Sequence, residues 1–404
     1  MRRKILGFCF LIGLLALSCN LPLQPLSIAP PEDQLAAYVA ATLQAIHIQQ
    51  TGESGKGTVS STPLAPILPH ALYYLSGPES EAQVWRLEVD GVTQTRLTSE
   101  AEGVAGYAVS SVDGALALVS GNQLFLLDVE TGERLLVADG SQADELAAGF
   151  YYRSRVSNPS FSPDGRILAY AHNGLHLYDV ATGDDWHVLT NKVAAPDEGI
   201  ILAEELYFPG AWAPDSRHLA VDIAFAESGT LAVVDWQAEQ PLTRMNASGI
   251  LCCQVSWAPD SGSILVASPY LGLVSPGLWR YDANTGAEGI LVAGSEEAGA
   301  FEFVGWPLQL PNGELLYFYA STAEVPEGNV PLLMLRSDPD AASSRHQLRP
   351  ESFSILEALW AEDGSLAIIR QASGGAGAQV VLARIDGSPL QVLLNEAWEL
   401  RWGP

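Results

Sequence analysis

The stretch Asn158 to Asp184, NPSFSPDGRILAYAHNGLHLYDVATGD, contains a short apolar strand ending in a Pro-Asp-Gly turn at Pro163, Asp164 and Gly165. A second strand follows at Ile167 to Ala171, an Asn-Gly turn at Asn173 and Gly174, and a third strand from Leu175 to Asp179 that closes on a Thr-Gly turn. Asp-Gly and Asn-Gly accept the positive φ that tight hairpins demand and other residues resist. The same pattern returns along the chain. The turn position of Asp164 recurs at Asp113, Asp215, Asp260, Asn312 and Asp363, in steps of 45 to 52 residues. So even a step marks a repeat of one supersecondary unit, four antiparallel strands long.

The clearest copies are AWAPDSRHLAV from Ala211, SWAPDSGSILV from Ser256 and LWAEDGSLAII from Leu359. Phe161, Trp212, Trp257 and Trp360 hold one equivalent position, which suits filling the space between neighbouring units. SSVDGALALVS from Ser110 and QLPNGELLYFY from Gln309 lack that aromatic but keep the turn and the strand after it. A seventh unit is split between the two ends of the repeat region. Ala71 to Leu75, Gln83 to Val89 and Thr95 to Leu97 supply its last three strands, and AWELRWGP, from Ala397 to Pro404, supplies its first, with Trp402 in the aromatic position. The expected fold is an all-β, seven-bladed propeller over 70–404, closed by strands from both ends, which removes the exposed sheet edge.

The FSPDG turn, the alternating strand after it and LYDVATG resemble the TolB-type, WD-like propeller repeat, most closely from Ser157 to Asp282. That resemblance implies a propeller used as a platform for binding proteins. TolB proper carries an α/β domain ahead of its propeller, where this chain has a tether.

Ahead of the repeats, Arg2, Arg3 and Lys4 precede an uncharged apolar run from Ile5 to Leu17, the pattern of an export signal. The ending Leu15-Ala16-Leu17-Ser18-Cys19 resembles a bacterial lipobox, which makes Cys19 the expected site of lipid attachment. Residues 20–69 read as a Pro-rich tether. One amphipathic helix is expected at about 32–50, from the spacing of Leu35, Val39, Leu43 and Ile46. Anchoring outside a bacterial membrane follows from that reading.

The formal net charge of −27 argues against nucleic acid and anionic headgroups as partners, because both attract basic surfaces. Of four cysteines, the adjacent Cys252 and Cys253 remain beyond the leader and lipid site, as a buried thiol pair or a strained vicinal disulfide. No CxxC pattern exists, and the one HxxxH pair, His172 and His176, flanks a turn with no other ligand type expected nearby, so neither metal nor cofactor is expected. Asp338 and Asp340 lack the Gly and Glu of a calcium hand.

No G-x-S-x-G elbow, phosphate loop or acid–base pair emerges, and the turn aspartates recur once per blade, as turn geometry requires. The expectation is a chain without catalysis: a monomeric, lipid-anchored scaffold for an envelope protein or peptide. A glycan-acting propeller enzyme and a sensor of a small extracellular ligand at the channel mouth are the alternatives. Long connections fall on one face: Gly140 to Ser157, Asn191 to Gly210, Ser268 to Pro276, Ser321 to Val330 and Gln371 to Ala378. Their candidate contact residues are Tyr151, Tyr152, Arg153, Arg155, Tyr207, Phe208 and Tyr270, types common at interfaces.

Overall fold

The computed structural model describes residues 66–142, 154–197, 200–225, 229–245, 254–269, 276–294, 300–323, 330–339, 344–373 and 377–404. Those residues build seven antiparallel sheets, six of four strands and one of five. The innermost strands are Gly106–Val109, Ser157–Phe161, Ile200–Trp212, Gln254–Trp257, Phe301–Gln309, Ile355–Trp360 and Ala397–Trp402. Each touches the inner strand of the next blade, and the last touches the first. That cycle of contacts makes the molecule a seven-bladed β-propeller around a central channel. Blade 1 is the split one: Ala397–Trp402 pairs with Leu72–Ser76, which continues to Gln83–Leu87 and Gln94–Arg96. Blades 2 to 7 follow in chain order.

Apolar side chains form seven clusters, each shared by two neighbouring blades. Blade faces are therefore buried on both sides, which is why Leu116–Ser120, Ile167–Ala171 and Ser263–Ser268 run apolar rather than alternating. The recurring tryptophans add a directional bond to this packing. Each indole nitrogen donates to an inner-strand carbonyl of the preceding blade: Trp212 to Ser160 at 3.0 Å, Trp257 to Ala211 at 2.8 Å, Trp360 to Trp306 and Trp402 to Trp360 at 2.7 Å. A leucine could fill the space but could not fix the neighbour's register.

At the turns, the aspartates accept hydrogen bonds from their own backbone. Ala115, Arg166, Arg217, Gly262, Glu314 and Ser365 donate their amides to Asp113, Asp164, Asp215, Asp260, Asn312 and Asp363. Gly165 takes a left-handed φ of 70° in this turn, and Ser216 and Ser261 hold the same position at 56° and 60°. The serines have a use for their side chains there. The Ser216 hydroxyl accepts the Asp164 amide of the blade before it, and Ser261 accepts the Asp215 amide, both at 3.1 Å.

One expected loop is in fact a sheet. Within 191–210, Lys192–Asp197 pairs antiparallel with the first half of Ile200–Trp212, giving blade 4 its fifth strand. The run Leu202 to Phe208 is strand-forming in composition, which suits a paired strand rather than a loop. The expected leader, Cys19, the expected tether as far as residue 65 with its expected helix, and Cys252 and Cys253 lie outside the described residues, whereas Leu68 at the end of the 20–69 segment is buried against blades 7 and 1.

Candidate functional site in the central channel

Five of the seven inner strands slip register midway, where one extra residue bulges from the ladder. Asn158, Trp306 and Glu399 sit in these bulges with left-handed φ of 54°, 49° and 51°. A bulge bends the strand and re-aims its side chains, and bulges concentrate next to functional sites. Asn158, Trp306 and Glu399 each stand three residues before the blade's aromatic position, which places them at one level of the ring.

At this level lies a cavity of about 690 Å³. Blades 1 to 4 contribute its lining, with Tyr107, Arg155, Asp222, Glu399 and Arg401 as the ionisable groups and Phe161, Pro209 and Trp402 among the apolar ones. The Tyr107 hydroxyl donates to the Glu399 carbonyl at 2.6 Å, which ties blade 2 to blade 1. Arg401 donates from Nη1 to the Leu400 carbonyl at 2.9 Å and lies 3.8 Å from Glu357 Oε1 of blade 7. The Leu400 amide donates to that same Glu357 oxygen at 2.7 Å.

Burial dominates the electrostatics here. It raises the pKa of Asp222 to about 6 and lifts those of Glu357 and Glu399, against the opposing pull of Arg401 on the two glutamates. Asp222 is crowded by protein yet reaches the solvent of the cavity, so it stays able to exchange a proton or a ligand.

Among the described residues expected to bind a partner, Arg155 lines the cavity and Tyr207 and Phe208 do not. Tyr207 is buried in the core between blades 3 and 4, and Phe208 beside it is half-buried. Both belong to the inner strand of blade 4, paired with Ile223 and Asp222, and Tyr207 is 3% exposed. The Tyr207 hydroxyl donates to Glu205, which also pairs with Lys192 at 2.7 Å and Arg244 at 2.9 Å. Burial works against the Glu205 charge, but these three partners more than offset it and hold its pKa down to about 2. Tyr151, Tyr152, Arg153 and Tyr270 lie outside the described residues.

The surroundings of the histidines also differ from expectation. His187 stacks on His176 with ring centroids 4.3 Å apart, and Asp185 stands 3.2 Å from His176 Nδ1, because the outer strand of blade 3 folds back beside the turn. Among the described residues no group of three or more His, Cys, Asp or Glu is placed to hold a metal.

Sequence reasoning missed Asp222, Glu357, Glu399 and Arg401. Asp222 and Glu357 each interrupt a run of apolar residues, as in LAVDIA around Asp222, and Glu399 and Arg401 alternate with apolar residues in AWELRW; those interruptions were the available signal.

Fold and site together define a seven-bladed β-propeller with a charged cavity on its channel. No protein-family model matches the chain, and no curated protein does. Similar solved structures include TolB from Acinetobacter baumannii, 14% identical, with a TM-score of 0.48 over 85% of this chain and 69% of that one. Oligogalacturonate lyase from Vibrio parahaemolyticus is 12% identical, with a TM-score of 0.49 over 79% of this chain and 83% of that one. Dipeptidyl peptidase 4 of Porphyromonas gingivalis is 16% identical, with a TM-score of 0.47 over 83% of this chain and 50% of that one. These likenesses concern the fold alone. They correct the expectation of a chain without catalysis: lyases and peptidases, a prolyl endopeptidase among them, stand beside TolB in this set, so the fold leaves enzymatic activity open.

Proposed function

We propose that this protein is an exported, lipid-anchored propeller of the cell envelope that captures part of a protein or peptide partner in its channel cavity. The observation that carries the reading is the cavity itself. Its volume of about 690 Å³ falls within the range of small-molecule and side-chain pockets, roughly 300–1,000 Å³. Charged groups from three blades converge on it, and two of its lining residues, Asn158 and Glu399, hold backbone conformations that cost energy. The leader pattern from Arg2 to Ser18 and the lipobox-like Cys19 support export and anchoring.

Gly106 offers a clean test. It lines the cavity, and a Cβ built on it meets no atom within 4 Å. Gly106→Trp therefore fills the channel mouth without disturbing a blade. Crosslinking and mass spectrometry of the anchored protein in its own cells should recover a stoichiometric partner from the native chain and lose it from the variant. Equal recovery from both would refute capture in the cavity.

A further inference from the structure

The ionisable groups of the cavity differ in how far the protein already satisfies them. Tyr107 is engaged with the Glu399 carbonyl, Arg401 with the Leu400 carbonyl and Glu357, and Arg155 also has partners. Asp222 stands apart. Among the described residues it has no hydrogen-bond or ion-pair partner, and burial alone accounts for its altered acidity. Its strand gives it no structural reason to be there. Leu219, Ala220, Val221 and Ile223 around it are buried core, and the residues paired with it, Phe208 and Leu231, are apolar. An unpaired carboxylate crowded into such a strand weakens the fold. A position that opposes stability and faces a cavity is where function is expected to be held.

We propose that the cavity holds a cationic group, a primary ammonium or a guanidinium, on the Asp222 carboxylate. This rests on the reading of the cavity as the binding site and names the part of the partner that enters it. Charge complementarity favours a cation twice over: the chain carries a net −27, which draws cations towards it, and Asp222 is the anion in the cavity with no counter-charge of its own. Glu399 also faces the cavity and adds to the negative field, while Arg155, just ahead of the inner strand of blade 3, and Arg401, on that of blade 1, disfavour a second cation. A bare metal ion fits worse, because the described residues offer no set of three ligands for one. Since burial raises the Asp222 pKa to about 6, protonation should release the cation as the pH falls through that value. The other titratable groups lining the cavity are Tyr107, Arg155, Glu399 and Arg401, and of these Glu399 is the carboxylate whose pKa burial also raises.

Isothermal titration of the full chain with N-acetylargininamide and N-acetyllysinamide, against neutral N-acetylcitrullinamide, tests the assignment. At pH 7.5 at least one cationic probe should bind about tenfold or more tightly than the neutral one. That preference should fade at pH 5 and disappear in Asp222→Asn. In the same variant the thermal midpoint at pH 7.5 should rise, because a charge that its crowded surroundings disfavour has been removed without loss of a contact. Equal binding of cationic and neutral probes by the native chain overturns the assignment, as does a preference that survives Asp222→Asn or a fall in its midpoint. Gly106→Trp separates this inference from the one beneath it. If that variant blocks all probes while Asp222→Asn keeps the preference, the cavity is the site and Asp222 is not its anchor. Unchanged binding in Gly106→Trp places the probes elsewhere and refutes both.

Discussion

Two sets of carboxylates in this propeller have the same chemistry and opposite fates. On the rim, Asp179 accepts backbone amides of Thr182 and Ala181 and the Arg166 guanidinium, and its pKa falls; Asp128 and Asp282 fall likewise through bonds within their own turns. In the channel, Asp222, Glu357 and Glu399 are desolvated faster than they are compensated, and theirs rise. Rim carboxylates hold the fold together. Channel carboxylates are held by it, at some cost.

The contrast breaks most visibly where the blades join. Trp360 is 8% exposed, stacks on Phe318 at 5.1 Å and donates to Trp306 at 2.7 Å, so Trp360→Ala removes packing and a bond between blades at once. It should cost roughly 3–5 kcal/mol, seen as a shift of the urea midpoint. Asp179→Ala ranks next. It frees two turn amides and the Arg166 guanidinium, and should lower Tm by about 2–4 °C at pH 7 and by less as the pH falls below the unfolded Asp value of about 3.9, where the advantage of the lowered pKa is lost.

The two sets also pull the pH profile in opposite directions. A carboxylate whose folded pKa is lowered stabilises above its unfolded value, about 3.9 for Asp, and loses that contribution as the pH falls through the folded value. One whose folded pKa is raised does the reverse: its charge opposes folding above the folded pKa, and protonation relieves this as the pH falls towards the unfolded value. From pH 7 to about 5 the channel groups should therefore stabilise the protein, and below about 4 the rim groups should destabilise it. Urea midpoints should peak near pH 5 in the native chain. In the double variant Asp222→Asn, Glu399→Gln the gain between pH 7 and 5 should shrink; an unchanged gain would remove the channel from the account.

The rim was legible in the sequence because it repeats. Asp164 and its equivalents keep a step near 50 residues, and Trp402 in the last strand completes the blade begun at Leu72, so period and turn chemistry together reveal seven blades. The channel does not repeat in that way. Tyr107, Asp222 and Glu399 come from three blades, and each differs from its counterparts in the others, so no spacing connects them before the ring closes. Attention to long connections also misled, since Asn191 to Gly210 contains the strand-forming run that puts Tyr207 into the core. Irregular length marked an insertion there, and the insertion folded as a hairpin.

Backbone strain sharpens the comparison at the smallest scale. The rim turn needs a left-handed residue and uses Gly165, or a serine whose hydroxyl is bonded to the turn of the preceding blade. The channel bulge needs the same conformation at Glu399 and keeps a long charged side chain in it, at a cost of roughly 1–2 kcal/mol. No structural bond of the rim kind explains that choice, because it is the Glu399 carbonyl, common to every residue type, that Tyr107 binds. Glu399→Gly should then leave the blade junction intact and change stability by no more than about 1 kcal/mol, as relief of strain offsets the lost rigidity of the unfolded chain. If the side chain is kept for the cavity, the variant should still bind cationic probes less tightly. A loss of several kcal/mol in stability would instead make Glu399 part of the closure between blades 1 and 2, and the channel would resemble the rim after all.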